Sequence, residues 1–275
     1  MPTRRGVLLG LVALPLVACS QQSQPAPEKE RKPVRLAYGD DASQFGELTR
    51  PSGPSKGVVV VIHGGFWKAE YDLELGRPLA RSLAEQGWTA WNIEYRRVGI
   101  GGGAPSTFDD VHAAIEQLAT VDDVDTSRVL TLGHSAGGHL AVWAAGRQRY
   151  AGWQESRVRV TGALSQAGVL DLVAADRDDL GSGAVPALLG HAATAEDARY
   201  DPRQQVPLDV PVRCIHGRAD DIVPPSQSSD YVAAATAAGA DAAVEQVDGD
   251  HFVVIDVESA AWTRQLELLD ELSGR

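Results

Sequence analysis

Residues 129–140 read Val129-Leu130-Thr131-Leu132-Gly133-His134-Ser135-Ala136-Gly137-Gly138-His139-Leu140. The first four residues predict a short buried strand. Ala136 to Ala145 predicts a helix, with Leu140, Trp143 and Ala144 spaced for one face. Between them stands the G-x-S-x-G pentapeptide Gly133-His134-Ser135-Ala136-Gly137. A strand that passes into a helix within so few residues must turn so tightly that side chains beside the serine would clash, which accounts for both glycines. The turn leaves the Ser135 hydroxyl at the C-terminal edge of the sheet. It also aims the helix N-terminus, with its free N–H groups and positive dipole end, at any charge that develops there. This context predicts a nucleophile.

Working outward, strand-like and helix-like stretches alternate from about Val34 to the end. Val58–Ile62 is a continuous apolar, β-branched run, as in a strand buried on both faces. Pro78 suits the start of a helix that runs through Leu79 and Leu83 to Gly87. Trp88 to Tyr95 reads as a strand. Thr107 with Asp110 reads as a capping box opening a helix through Val111, Ile115 and Leu118. Val158–Leu164, Val212–Ile215 and Ala243–Val247 read as further strands, and Ser226–Ala238 and Ala260–Leu272 as helices. Such alternation predicts an α/β fold with a mostly parallel sheet covered on both faces. Residues 166–211, between two strands, predict a cap over a pocket.

A serine needs a base, and the base needs an orienting acid. His139 is one turn along the helix that Ser135 opens and does not reach back to the elbow. His191 lies in an irregular Ala/Gly-rich stretch, and His216 opens the loop in which the acid is expected. His251, in Gly249-Asp250-His251-Phe252 after the last strand, can hang over the sheet edge and is the expected base. From the loop His216-Gly217-Arg218-Ala219-Asp220-Asp221-Ile222-Val223-Pro224, Asp220 or Asp221 can reach it; Asp250, adjacent in sequence, points the wrong way. His63-Gly64-Gly65-Phe66-Trp67 follows Val58–Ile62, where glycines let backbone N–H groups approach a substrate oxygen. With the Ala136 N–H they can form an oxyanion hole. Trp67, Val223 and Phe252 flank these segments and are candidate walls of the substrate pocket.

Taken together, HGGFW (63–67), GHSAGGHL (133–140), HGRADDIVP (216–224) and DHF (250–252) resemble the α/β-hydrolase superfamily. More narrowly they resemble the kynurenine formamidase-like esterases and their prolyl-oligopeptidase-related neighbours. The resemblance runs over nearly all the chain from Val34. It implies an α/β-hydrolase fold for residues 34–275, a Ser135–His251–Asp220 triad and oxyanion N–H groups at Gly65, Phe66 and Ala136. It also implies a cofactor-free serine hydrolase; the expected export favours carboxylic esters, and the size of the 166–211 cap favours small or medium ones. A formamide-cleaving arylformamidase, a serine peptidase and a non-catalytic binding lipoprotein are the alternatives.

The N-terminus reads as an address. Arg4 and Arg5 precede an apolar run, Gly6–Ala18, too short to span a bilayer. It closes on Leu16-Val17-Ala18-Cys19, which resembles a bacterial lipoprotein signal with Cys19 as the lipidation site; the paired arginines also resemble a twin-arginine export signal. Residues 20–33, rich in Ser, Gln, Pro and charge, read as a flexible linker. The expected location is therefore outside the cytoplasm, lipid-anchored to a bacterial membrane.

Composition narrows the partners. The chain has 275 residues, 44% of them hydrophobic, and a formal charge of −12. It lacks the basic footprint that nucleic-acid binding needs. Gly99–Ala104 contains G-x-G-x-x-A, but Pro105 interrupts it and Thr107 opens the helix instead, so it reads as a loop bordering the site. No H-E-x-x-H occurs, and no catalytic metal is expected. Cys214, in an apolar run, is expected as a buried thiol.

Overall fold

The apolar runs of the sequence become neighbours in one eight-stranded sheet. In the computed structural model, residues 1–3 and 32–274 are described; Cys19 and nearly all of the signal segment and of the 20–33 linker lie outside the described residues. The strands are β1 (Val34–Ala37), β2 (Phe45–Thr49), β3 (Val58–Ile62), β4 (Thr89–Ile93), β5 (Val129–His134), β6 (Gly162–Gln166), β7 (Val212–Gly217) and β8 (Ala242–Val247). Their order across the sheet is β1-β2-β4-β3-β5-β6-β7-β8. β1 and β2 pair antiparallel, as do β2 and β4, and the remaining pairs are parallel. The expected α/β class and mostly parallel sheet are what is observed.

The helices are α1 (Arg77–Glu85), α2 (Ser106–Gln117), α3 (Ala136–Gly146), α4 (Leu172–Arg177), α5 (Ala184–Leu189), α6 (Ser226–Ala237) and α7 (Ala260–Leu272). β3 explains why its sequence shows no polar alternation. Val58, Val60 and Ile62 pack with Val111 and Ile115 of α2 and Leu140 of α3, whereas Val59 and Val61 pack with Leu79 and Leu83 of α1 and Trp262 of α7. Both faces are therefore core, and each such side chain contributes about 1.5–3 kcal/mol by leaving water. Cys214 of β7 is buried against α6, and burial pushes its thiol up to about 12.

Three local expectations are corrected. The strand expected over Val158–Leu164 begins only at Gly162. Val158 and Val160 are buried, but the Val158 carbonyl accepts from the Arg147 guanidinium at 2.7 Å, outside the sheet. Thr107 and Asp110 form no capping box. α2 starts at Ser106 without a side-chain cap, and the Thr107 hydroxyl donates to the Arg96 carbonyl at 2.7 Å. Asp110 instead takes the Arg96 guanidinium at 2.7 Å and 2.8 Å. These residues fasten the end of β4 to α2. The antiparallel β1–β2 edge has no clear signal, because β1 is short and mostly exposed.

Candidate active site

The site grows from the crossing between β5 and α3. Ser135 takes φ 56° and ψ −121°, a strained backbone that costs on the order of 1–3 kcal/mol. Two close approaches require the flanking glycines. A Cβ at Gly133 would lie 2.0 Å from the Gly137 carbonyl oxygen, and one at Gly137 would lie 2.1 Å from the Ile62 carbonyl oxygen. The elbow is thus pressed onto the end of β3. The Ser135 N–H donates to the Gln166 carbonyl at 2.8 Å, tying the turn to β6. Ser135 itself is buried, at the positive end of the α3 dipole.

The two other expected site residues meet. His251, in the loop after β8, places Nδ1 2.6 Å from Asp220 Oδ2 in the loop after β7. The other carboxylate oxygen, Oδ1, accepts the N–H groups of Ile222 and Val223 at 3.0 Å and 2.8 Å. Burial pushes the Asp220 carboxyl up, but hydrogen bonds from His216, His251 and the Val223 N–H outweigh it. The group is held well below the usual carboxylate range. Asp221 is exposed. Asp250 accepts the Phe252 N–H at 2.9 Å and so shapes the turn that carries His251.

The elbow and the His251 loop are joined through His134. Its Nε2–H donates to the His251 carbonyl at 3.0 Å, and the two rings lie 4.5 Å apart between centroids. Burial, with the nearby His251, pushes His134 down to about 3, so it is a neutral strut.

The loop after β3 supplies donors. Gly65, Phe66 and Trp67 have φ of 109°, 54° and 56°. Among the described residues, the N–H groups of Gly65, Phe66 and Ala136 have no protein acceptor. Glu94, at the end of β4, braces this loop. Its carboxylate accepts the N–H groups of Tyr95 and Leu73 at 2.8 Å and 3.1 Å, and it pairs with Arg97 at 3.3 Å and His63 Nε2 at 3.1 Å. His63 also stacks on Tyr95, whose hydroxyl donates to the His63 carbonyl at 2.9 Å. His63 is therefore a brace rather than a base.

The expected pocket walls separate. Phe252 is 53% exposed and sets its ring edge-on to His251, at the surface of the site. Trp67 and Val223 are buried in the main core, Trp67 edge-on to His139. Val223 serves the site through its backbone. The segment between β6 and β7 folds as α4, α5 and a 3₁₀ turn at Pro202–Gln205. Its tip rests on the loop after β3. A Cβ at Gly181 would lie 2.3 Å from the Phe66 ring, and Lys68 Nζ donates to the Gly181 carbonyl at 2.8 Å.

Glu94, His134 and His216 are the residues that sequence reasoning missed in these roles. The one visible signal is a charged or imidazole side chain at the end of a buried strand. Among the described residues, no group of three or more His, Cys, Asp or Glu side chains is placed to hold a metal ion, and no helix is long and apolar enough to cross a membrane.

Comparison with known proteins gives the family and relatives of the fold. The family model BD-FAE matches residues 48–234. Esterase LipC of Mycobacterium tuberculosis is 34% identical over 117 residues, which is 40% of this chain and 28% of that protein. Esterase B from Lactobacillus rhamnosis, solved with a C6-C4 SN3 inhibitor, superposes with a TM-score of 0.75 at 26% identity, over 90% of each chain. The same esterase inhibited by a C4-C4 SN3 tributyrin phosphonate gives a TM-score of 0.73 at 25% identity, over 90% of this chain and 89% of that one. The chain spans between 28% and 57% of the length of the curated relatives it matches.

Proposed function

The chain belongs to the BD-FAE family and has an α/β-hydrolase fold, and from that premise we propose that it is a serine hydrolase of small or medium carboxylic esters. One observation carries the reading: a strained serine at a helix N-terminus is tied, through His134, to a histidine that a buried carboxylate holds at 2.6 Å.

Ser135 Oγ attacks the ester carbonyl while His251 Nε2 takes its proton. Asp220 keeps the His251 proton on Nδ1 and stabilises the imidazolium. The carbonyl oxygen gathers charge against the N–H groups of Gly65, Phe66 and Ala136, which have no protein acceptor in the described chain. Because the loop is already folded, little reorganisation accompanies that charge. His251 then protonates the leaving alcohol, and water hydrolyses the acyl-enzyme by the reverse order of proton transfers. No cofactor is needed.

Short acyl chains are the expected substrates. The cap tip lies on Phe66, and the inhibitors seen in esterase B carry short chains. The test is a panel of p-nitrophenyl esters of rising chain length, with N-formyl-kynurenine and an acetylated sugar alongside, and labelling by a fluorophosphonate. Turnover is expected to peak at short esters, and Ser135→Ala should lose labelling and on the order of 10⁶ in turnover. Normal esterase activity in that variant would end the proposal. Faster turnover of the formamide would move it to an amide hydrolase, and absence of labelling in the unmodified protein would favour a binding protein.

The proposal includes location. The Leu16-Val17-Ala18-Cys19 ending supports export and lipid attachment at Cys19, and two or more acyl chains on one residue suffice for stable anchoring. Cys19→Ser should move the protein from the membrane to the soluble fraction on cell fractionation; retention at the membrane would place the anchor elsewhere.

A further inference from the structure

The end of β7, beside the loop that carries Asp220, holds a second imidazole that the reaction above does not use. His216 lies on β7 and is fully buried. Its Nε2 is 2.9 Å from the Val223 carbonyl and 3.1 Å from Asp220 Oδ2. Both neighbours are acceptors, so this nitrogen carries a hydrogen in either protonation state of the ring. Nδ1 is 2.8 Å from Ser228 Oγ on α6, whose hydroxyl donates to the neutral ring.

The carboxylate of Asp220 is therefore divided. Oδ1 is taken by two backbone donors, and Oδ2 takes the His251 Nδ1–H, while His216 Nε2, whose hydrogen goes to the Val223 carbonyl, lies 3.1 Å from the same oxygen. Building on the triad reading, we propose that His216 is a positioning residue for Asp220. Its N–H, held by the Val223 carbonyl, lies against Oδ2 and shares the charge of that oxygen with His251, which sets the basicity of His251; Ser228 holds the His216 ring in place.

The fold makes this arrangement effective. His216 is a strand residue, paired with Gln246 of β8, so its backbone is fixed by the sheet. Asp220 belongs to a loop and depends on its partners for orientation. A rigid element thus orients a loop residue through one imidazole. The other ionisable groups around the carboxylate are His251, from the loop after β8, and His134, from the elbow. Asp221 faces solvent, and Cys214, which contacts Ser228, is uncharged at neutral pH because burial pushes it up to about 12. Without the His216 donor, more of the negative charge on Oδ2 falls on His251. The imidazolium is then stabilised, and the base loses its proton only at higher pH.

The experiment uses His216→Leu, His216→Gln and Ser228→Ala in the full chain. Acylation by a short p-nitrophenyl ester is followed over pH 4.5–8, with thermal melting as a control for folding. His216→Leu should lower kcat on the order of 10- to 100-fold with KM little changed. It should also move the acid limb of the pH profile upward by about half a unit or more. His216→Gln, which restores an N–H donor, should return the limb toward its original place. Ser228→Ala should shift it in the same direction as leucine, by less. A folded His216→Leu with an unmoved limb overturns the proposal. If that variant does not fold, Ser228→Ala decides: a shifted limb supports the role, and an unmoved limb with unchanged kcat overturns it. Failure of the unmodified protein to react with a fluorophosphonate would instead overturn the triad reading beneath it.

Discussion

Two adjacent carboxylates, Asp220 and Asp221, show how a single residue position separates a site group from a surface group. Asp220 is buried with three donors on its oxygens and the His216 ring beside them, and Asp221 is exposed. Asp220→Asn puts a neutral amide where the imidazolium needs a negative charge, and should cost on the order of 10⁴ in turnover. Asp221→Asn should change turnover by less than about twofold, because an exposed charge is screened. Steady-state kinetics on the two variants checks the ranking, and the opposite order would reassign the acid. The sequence alone left both aspartates open from their own surroundings, since both sit in the same loop. Ser135 and His251 were easier to read, because each lies in a local turn whose glycine or aspartate neighbours shape it. His216 was illegible as a partner of Asp220, since that role depends on the path of the loop from residue 217 to 223.

Among the elements, the loop after β3 depends on the end of β4. Glu94 gathers His63, Leu73, Tyr95 and Arg97 around one buried carboxylate. Removing its charge strands the Arg97 guanidinium, which is 6% exposed. Glu94→Ala should therefore destabilise the fold by roughly 3–5 kcal/mol, measured by urea unfolding. Wild-type stability in this variant would mean that the loop is braced elsewhere. The cap tip offers a gentler probe. Gly181 has φ +66° and no room for a Cβ beneath Phe66, so Gly181→Ala should displace Phe66 and lower kcat/KM on the order of tenfold while leaving the melting temperature within a few degrees. An unchanged kcat/KM would separate this tip from the loop after β3. Element legibility followed burial. The fully apolar β3 and the amphipathic α7 were read to within a residue, because hydrophobic pattern is their main determinant. The run over Val158–Val160 misled because its valines are buried by side-chain packing without sheet pairing.

Across the whole molecule, buried neutral imidazoles couple stability to acidity. His134 and His139 are pushed down to about 3 and about 4, in each case chiefly by burial. In the unfolded chain they titrate near 6.5. As pH falls below about 6.5 the unfolded chain takes up protons that the native fold refuses, so native stability is complete above that value and declines toward the native values. Asp201 acts in the opposite sense. Burial pushes it up to about 6, and it regains part of the loss as pH falls from there toward 4. The balance should leave the protein about 2–3 kcal/mol less stable at pH 5 than at pH 7, as read by urea unfolding at both values. Equal stabilities would show that these rings reach solvent. The mostly parallel character of the sheet followed from the alternating pattern, whereas the strand order and this titration behaviour did not. It arises from which histidines the packing encloses, and no periodicity marks that.

Cys214 has a practical consequence. Its sulfur is sealed inside the protein and stays protonated well past neutral pH. Maleimide and iodoacetamide reagents require an accessible thiolate, so they should pass it by. With Cys19 exchanged for serine, the chain becomes a silent background for conjugation chemistry: a single engineered cysteine on the surface can receive a dye, a spin label or a bead linkage without competition from the native sequence.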